Sequence, residues 1–398
     1  MDHPALAPDP RPGDGASAPS PAWHQPWPEA DASVLAPVAE HEDLRKVVRD
    51  ILGAHADHEQ VRRAADGPLG YSAELWKLLN DEMSVGAMAV PEDRGGLGVG
   101  LGMVAVVLEE AGRALLPEPL LVSAVLGVRA VLAAPLGSIP GELVDGLTAG
   151  HLVAALATGP GADASLAATG TDGALTVSGR VGRALLGATA DLMVVVADSA
   201  GGEALHLVDL RHVREAERRP LEVLDHTRRQ AAVELVAAPA HLIAGPEHAG
   251  AVLADLDVVR RIVLAAEHVG MIEAMLDLTR TYLGQREQFG RPLASFQVIK
   301  HRLADVLVDL ERARSAARYA AAVFVQDPGS AELPAAVAAA VATEAVIRVA
   351  HETVQLHGGI GFTWEHPAHY YLRRALGDEA VFGPAHAHRA LVAELLGV

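Results

Sequence analysis

Residues 286–314, REQFGRPLASFQVIKHRLADVLVDLERAR, and residues 355–375, QLHGGIGFTWEHPAHYYLRRA, decide the fold of this 398-residue chain. Gly290-Arg291-Pro292 in the first stretch and Gly358-Gly359-Ile360-Gly361 in the second interrupt long helical patterns beside polar groups. Glycine lets backbone N–H groups approach a phosphate closely, and Arg286 and Arg291 can add charge-assisted bonds. Only 4% of the residues are aromatic, yet Phe289, Phe296, Phe362 and Phe382, four of the five Phe, fall in or just after these stretches with Trp364, Tyr370 and Tyr371. Such clustering favours a site for a flat cofactor over aromatic filler at bundle corners.

The flanking segments read as long helices over 248–284, 296–326, 334–357 and 384–396, so residues 246–398 form a C-terminal four-helix bundle. Upstream, short β-prone runs at 152–157, 174–181, 191–197, 205–210 and 232–237 alternate with Gly, Asp, Ser and Pro, which predicts a middle antiparallel β-domain over 151–245. Before it, EHEDLRKVVRDILGAHA places Leu44, Val47, Val48 and Ile51 at helical spacing. Further apolar segments near 75–79, 101–114, 119–134 and 140–148 complete an N-terminal helical domain over 39–150. Residues 1–38, rich in Pro, Ala and Asp, with Trp23 and Trp27 among prolines, read as a flexible tail. The fold class is therefore α+β: helices, an antiparallel β-domain, then a helical bundle.

Composition narrows the function. With 50% hydrophobic and 21% charged residues the chain is globular, and its net charge of −19 disfavours nucleic acid and anionic membrane as partners. There is no cysteine, which removes disulfides, thiolate metal sites and a cysteine nucleophile, and fits a cytoplasmic protein. No signal peptide or membrane span is expected. The pairs His351/His357, His366/His369 and His386/His388 lack an HEXXH motif and a carboxylate set, so no metal site is inferred; Ser178 and Ser295 lack a hydrolase motif.

The two opening motifs, with LWKLLNDEMSVGAMAVPEDRGGLGVG followed by VLEEAGR, and with LDHTRRQAAVELV, resemble the acyl-CoA dehydrogenase family over almost the whole chain after the tail. Gly95-Gly96-Leu97-Gly98 is not a dinucleotide-binding fingerprint, because it follows a helix rather than a strand. The resemblance, to actinobacterial-type members and to subunits of mixed tetramers among them, implies FAD, an acyl-CoA substrate, an electron acceptor protein and a homo- or hetero-oligomer built as a dimer of dimers. Arg286, Gln288, Phe289 and Gln297 match family residues that contact FAD of one protomer. Gln355, Gly358 and Gly359 match those that reach its pyrophosphate end from a neighbour. Arg261 matches the arginine of a D-x-x-R element near acyl-CoA, although Val258 stands at the aspartate position, and Gly383 matches a substrate-side glycine.

The family's catalytic base does not carry over. A glutamate followed by Gly-Thr is its usual form, and the ungapped count from Phe362 puts this position on Phe382. An alternative family position, just before the arginine, is Arg260. Asp257, Glu379, Glu267 and Glu365 are the remaining acids in reach, with Asp257 and Glu379 the weak candidates. In the β-domain, residues 158–165 keep an altered form of the family's flavin loop, and Ala184-Leu185-Leu186-Gly187-Ala188 replaces its Trp-bearing strand. Two functions follow from the resemblance: α,β-dehydrogenation of an acyl-CoA thioester with hydride transfer to FAD, or a base-deficient subunit that supplies structure and part of an FAD site to a heteromeric dehydrogenase.

Overall fold

Helix α1 (Ala39–His55) and helix α2 (His58–Asp66) are separated by Asp57, which caps α2 by accepting from Gln60 N while the Gln60 side chain accepts from Asp57 N. The computed structural model describes residues 39–170, 174–214 and 217–398; the expected tail over 1–38 lies outside the described residues. Ser72 caps α3 (Ala73–Met83) by accepting from Leu75 N, and α4 (Gly100–Arg113) follows the glycine-rich loop. A π-helical stretch, Leu120–Gly127, leads into α5 (Val128–Leu132) and α6 (Gly141–Thr148).

The middle domain holds β1 (Ala154–Ala157), β2 (Ala164–Thr169), β3 (Thr176–Leu185), β4 (Leu192–Ser199), β5 (Gly202–Asp209), β6 (Arg218–Pro220) and β7 (Gln230–Ala244). Pairing runs from β3 through β7, β5 and β4, and both β1 and β2 bridge β4 back to β3, so the sheet closes on itself. The expectation of a purely antiparallel domain is corrected: β1 and β2 run parallel to β4. Strands β2 and β6 were not expected. The sequence of β2, ASLAAT, has little of the branched or aromatic character that marks a strand, and tertiary pairing supplies what propensity lacks. Val177, Val181, Leu192, Val194, Leu205, Leu207 and Val233 fill the interior at 0–1% exposure.

Pro246 opens the 40-residue α7 (Pro246–Gln285), where its missing N–H costs nothing. The hairpin β8 (Glu287–Gln288) and β9 (Arg291–Pro292) joins it to α8 (Gln297–Gln326), and α9 (Glu332–His357), α10 (Ala368–Phe382) and α11 (Ala385–Leu396) complete the chain. Five helices, not four, make the bundle. Helix α10 was hidden by its aromatics and Gly377, which lies against Asp225 of the β-domain. Ala335, Ala338, Ala342, Val346 and Val349 give α9 a fully buried face of small residues, and α7, α8, α10 and α11 all pack on this helix. Glu332–Phe362 is long and apolar enough to cross a membrane, but 67% of its apolar window is buried inside the fold.

Helices α4 and α7 cross at two glycines. A Cβ on Gly270 would run into the carbonyl oxygen of Glu109, and one on Gly112 into that of Glu267. Every residue from Ile262 to Ile272 is buried, so this part of α7 is enclosed by neighbours on all sides.

Candidate active site

Helix α10 ends at Phe382, and Gly383, with φ +106°, turns the chain into α11 through a backbone region that side-chain-bearing residues rarely enter. This corner faces the β-domain across a cavity of about 750 Å³. Thr158 and Arg183 come to its walls from the β-domain, Asp257, Arg260 and Arg261 from α7, and Glu379, Phe382, Gly383 and His388 from the corner itself. The expected base positions and both substrate residues thus converge on one space, although 122 residues separate Arg260 from Phe382.

Arg260 ties the corner together. Its Nη1 donates to the Phe382 carbonyl oxygen at 3.1 Å, and its Nε and Nη2 donate to Asp257 Oδ1 at 3.1 and 2.8 Å. The other Asp257 oxygen lies 3.5 Å from Arg261 Nη2, so one carboxylate serves two guanidiniums. Burial holds the Arg261 pKa below its ordinary value, and Arg261 Nε is buried without a partner. His388 is pushed down to about 4 by burial, with Arg260 and Arg261 adding to the effect, so its ring is neutral at physiological pH; Nε2 is buried and unpaired. Glu379 is half-buried, and its carboxylate has no hydrogen bond or ion pair among the described residues.

Two family signatures cover most of this architecture: "Acyl-CoA dehydrogenase, N-terminal domain" matches residues 38–136 and "Acyl-CoA dehydrogenase, C-terminal domain" matches residues 253–397. The chain belongs to the acyl-CoA dehydrogenase family. Acyl-CoA dehydrogenase IpdE2 of Mycolicibacterium smegmatis is 34% identical over 87% of this chain and 95% of its own length. The IpdE2 protein of Mycobacterium tuberculosis is 33% identical over 91% and 99%. Among solved structures, the ChsE4–ChsE5 complex from Mycobacterium tuberculosis superposes with a TM-score of 0.80 at 28% identity, covering 91% of this chain and 98% of that one.

Compared with the family motifs, the acids divide by their partners. Asp257 is ion-paired. Glu267 is 2% exposed and bound to Arg228 and Arg374, so it cannot serve the cavity. Glu365 stands exposed in the turn before α10. Of the four acids weighed from sequence, Glu379 alone is both unpaired and in the cavity wall.

The matched flavin positions lie elsewhere. Arg286, Gln288, Phe289 and Gln297 sit on the hairpin after α7 and at the start of α8, and Gln355, Gly358 and Gly359 sit at the end of α9; all seven are exposed. Tyr282 stacks on His357 at 4.6 Å, which brings the two sets to the same end of the bundle on one chain. Arg261 is 24 residues before the end of α7, and at 1.5 Å rise per residue this puts the cavity roughly 36 Å along the helix from the hairpin. The expected FAD and substrate residues therefore form two separate groups within the chain.

Residues that sequence reasoning missed stand behind the cavity. Fully buried Arg374 donates from Nε to Asp225 at 2.9 Å and from Nη2 to Thr227 Oγ1 at 2.6 Å, and pairs with Glu267. Arg228 pairs with Glu267 and, at 3.1 Å, with Asp378, while its guanidinium lies 5.8 Å from the Phe382 ring centroid. The local signal available was Arg374 and Asp378 one turn apart; their partners come from α7, from the loop before β7 and from the carbonyls of Leu115 and Leu116 after α4.

Proposed function

We propose that this chain is a subunit of an FAD-dependent acyl-CoA dehydrogenase assembly in the cytoplasm, in which a neighbouring chain supplies the catalytic carboxylate and an electron acceptor protein reoxidises the flavin. The observation that carries the reading is Phe382 in the cavity wall, at the register of the family's base, with Arg260 at the alternative position. Neither side chain can take an α-proton.

The residues present fit FAD. Gly358, with φ +61°, and Gly359 leave open space where a side chain would begin, Phe289 is 88% exposed beside Gly290, and Arg286 and Arg291 bring cations to the same end. Bound FAD supplies the hydride acceptor. Backbone N–H groups around Gly358 and Gly359 would hold a diphosphate, Phe289 would cover an aromatic face, and the distance to the cavity supports these groups serving a flavin shared with the neighbouring subunit. In the cavity, Arg261 lacks full charge compensation and would pair with an anionic group of the CoA thioester, while the walls of Phe382 and the β-domain exclude water from the acyl chain.

A second reading keeps the chain as a homomeric dehydrogenase with Glu379 as base, favoured by that carboxylate's freedom from partners. The deciding experiment compares the chain alone with the chain co-expressed with a family paralogue that carries the glutamate. Size exclusion, flavin absorbance and anaerobic bleaching by a panel of acyl-CoAs are measured for both. Bleaching in the mixed assembly alone is expected. Bleaching by the isolated chain, abolished by Glu379→Gln, would establish the second reading instead.

A further inference from the structure

The turn that joins α9 to α10 is held by histidines that the site just described does not use. His357 ends α9, is 2% exposed and donates from Nδ1 to the Thr353 carbonyl oxygen at 2.8 Å. Its Nε2 is therefore the unprotonated nitrogen, and it is buried with no partner. The His366 ring packs 4.5 Å from it, with Nδ1 accepting from Ala368 N at 3.3 Å. His369 lies 4.3 Å from Tyr370, with both ring nitrogens buried and unpaired, and His58 at the start of α2 meets the other side of the group at 4.8 Å from Tyr370, its Nε2 also unpaired.

Among the described residues no carboxylate forms an ion pair with any of these four rings, and only Asp57 acts on the group, raising the pKa of His58 against the larger effect of burial. The charged and titratable groups that face it are Asp57 at the cap of α2, Arg62 and Asp66 from α2, Tyr282 from α7, and Tyr370 and Arg373 from α10. Asp57 is engaged as the cap of α2 and Asp66 by His226, while Arg62 and Arg373 are cations that oppose a further positive charge.

We propose that His58, His357, His366 and His369 form an acid-releasable latch that holds the exposed Gly358–Trp364 turn against the ends of α9 and α10 only while all four rings are neutral. Burial lowers the pKa of each, and for His366 the neighbouring rings add to burial and bring it down to about 4. A folded-state pKa below the ordinary value near 6.5 means that the stabilisation is complete above this pH and is lost as the pH falls toward 4. Ile360, Phe362 and Trp364 are 44%, 72% and 54% exposed, so once the rings repel one another the turn keeps chiefly the Trp364 contacts with Arg373 and Tyr370 and the buried Gly361.

The test is amide hydrogen exchange on the intact chain between pH 7.5 and pH 5, corrected for the intrinsic rate. Protection of peptides over 355–367 is expected to fall at least about tenfold, while that of peptides over 335–350 in α9 holds. The double variant His357→Asn/His366→Asn keeps a donor toward Thr353 and an acceptor toward Ala368 but removes two titrating rings, and should abolish most of the pH dependence. Protection that does not change with pH, or a variant whose dependence matches the native chain, overturns the latch. An NMR titration in which these four imidazoles show ordinary values would overturn it as well.

Discussion

Arg260 and Phe382 are joined twice: the guanidinium donates to the Phe382 carbonyl oxygen at 3.1 Å, and its carbon lies 5.7 Å from the centroid of the phenyl ring. The first contact fixes the end of α10 and the second places a cation beside the side chain at the expected base position. A carboxylate introduced there would meet Arg260 on α7 and Arg228 from the β-domain and would stay ionised.

Phe382→Glu is therefore expected to create acyl-CoA-dependent bleaching in flavin-loaded protein whose partner base has been removed. A positioned proton acceptor contributes about 100-fold or more. Single-turnover absorbance at the flavin band reads the gain. No increase over the native chain, with acyl-CoA still bound, would show that the corner lacks more than a base.

Arg374 is fully buried among Asp225, Thr227 and Glu267. Arg374→Met leaves buried Asp225 without a cation and Glu267 with Arg228 alone, and should cost about 3–5 kcal/mol in denaturant unfolding. A loss under 1 kcal/mol would mean that the cluster rearranges around Arg228 alone.

Gly270 and Gly250 lie on the same helix in opposite settings. A Cβ on Gly270 collides with the α4 backbone, whereas one on Gly250 meets nothing within 4 Å. Gly270→Ala should destabilise by about 2 kcal/mol or more, and Gly250→Ala should stabilise by up to about 1 kcal/mol. Melting temperatures moving in the same direction would contradict the close crossing of α4 and α7.

Glu118 is buried and pushed up to about 7, mainly by desolvation, while Ser72 N donates to its Oε1 at 3.0 Å. Because the folded-state value is raised, its contribution is complete below about pH 4.5 and is lost as the pH rises through 7. Glu118→Gln should remove about 1.4 kcal/mol of the difference in unfolding free energy between pH 6 and pH 8. The histidine latch acts in the opposite direction, so the two effects separate in one pH series. An unchanged difference in the variant would assign the dependence to other groups.

Much of this architecture was legible from local pattern. The expected spans 248–284, 296–326 and 334–357 fall within one or two residues of α7, α8 and α9, because helical periodicity, Pro246 and the glycine turns act within a few residues. Strand β7 was read at 232–237 and runs from Gln230 to Ala244, since Pro239 and the surrounding alanines conceal a strand that its neighbours impose.

The sequence by itself determined the order of the three regions and the acyl-CoA dehydrogenase resemblance, which rest on local pattern and contiguous motifs. Only the tertiary structure decided which charges are available. Asp257 and Glu379 look alike in sequence, yet one is held by two arginines and the other is free. It also placed the expected flavin residues roughly 36 Å along α7 from the cavity, and brought His58 to the cluster of His357, His366 and His369. Pairing of a charge or stacking of a ring depends on which elements pack together, and that information lies between segments rather than within them.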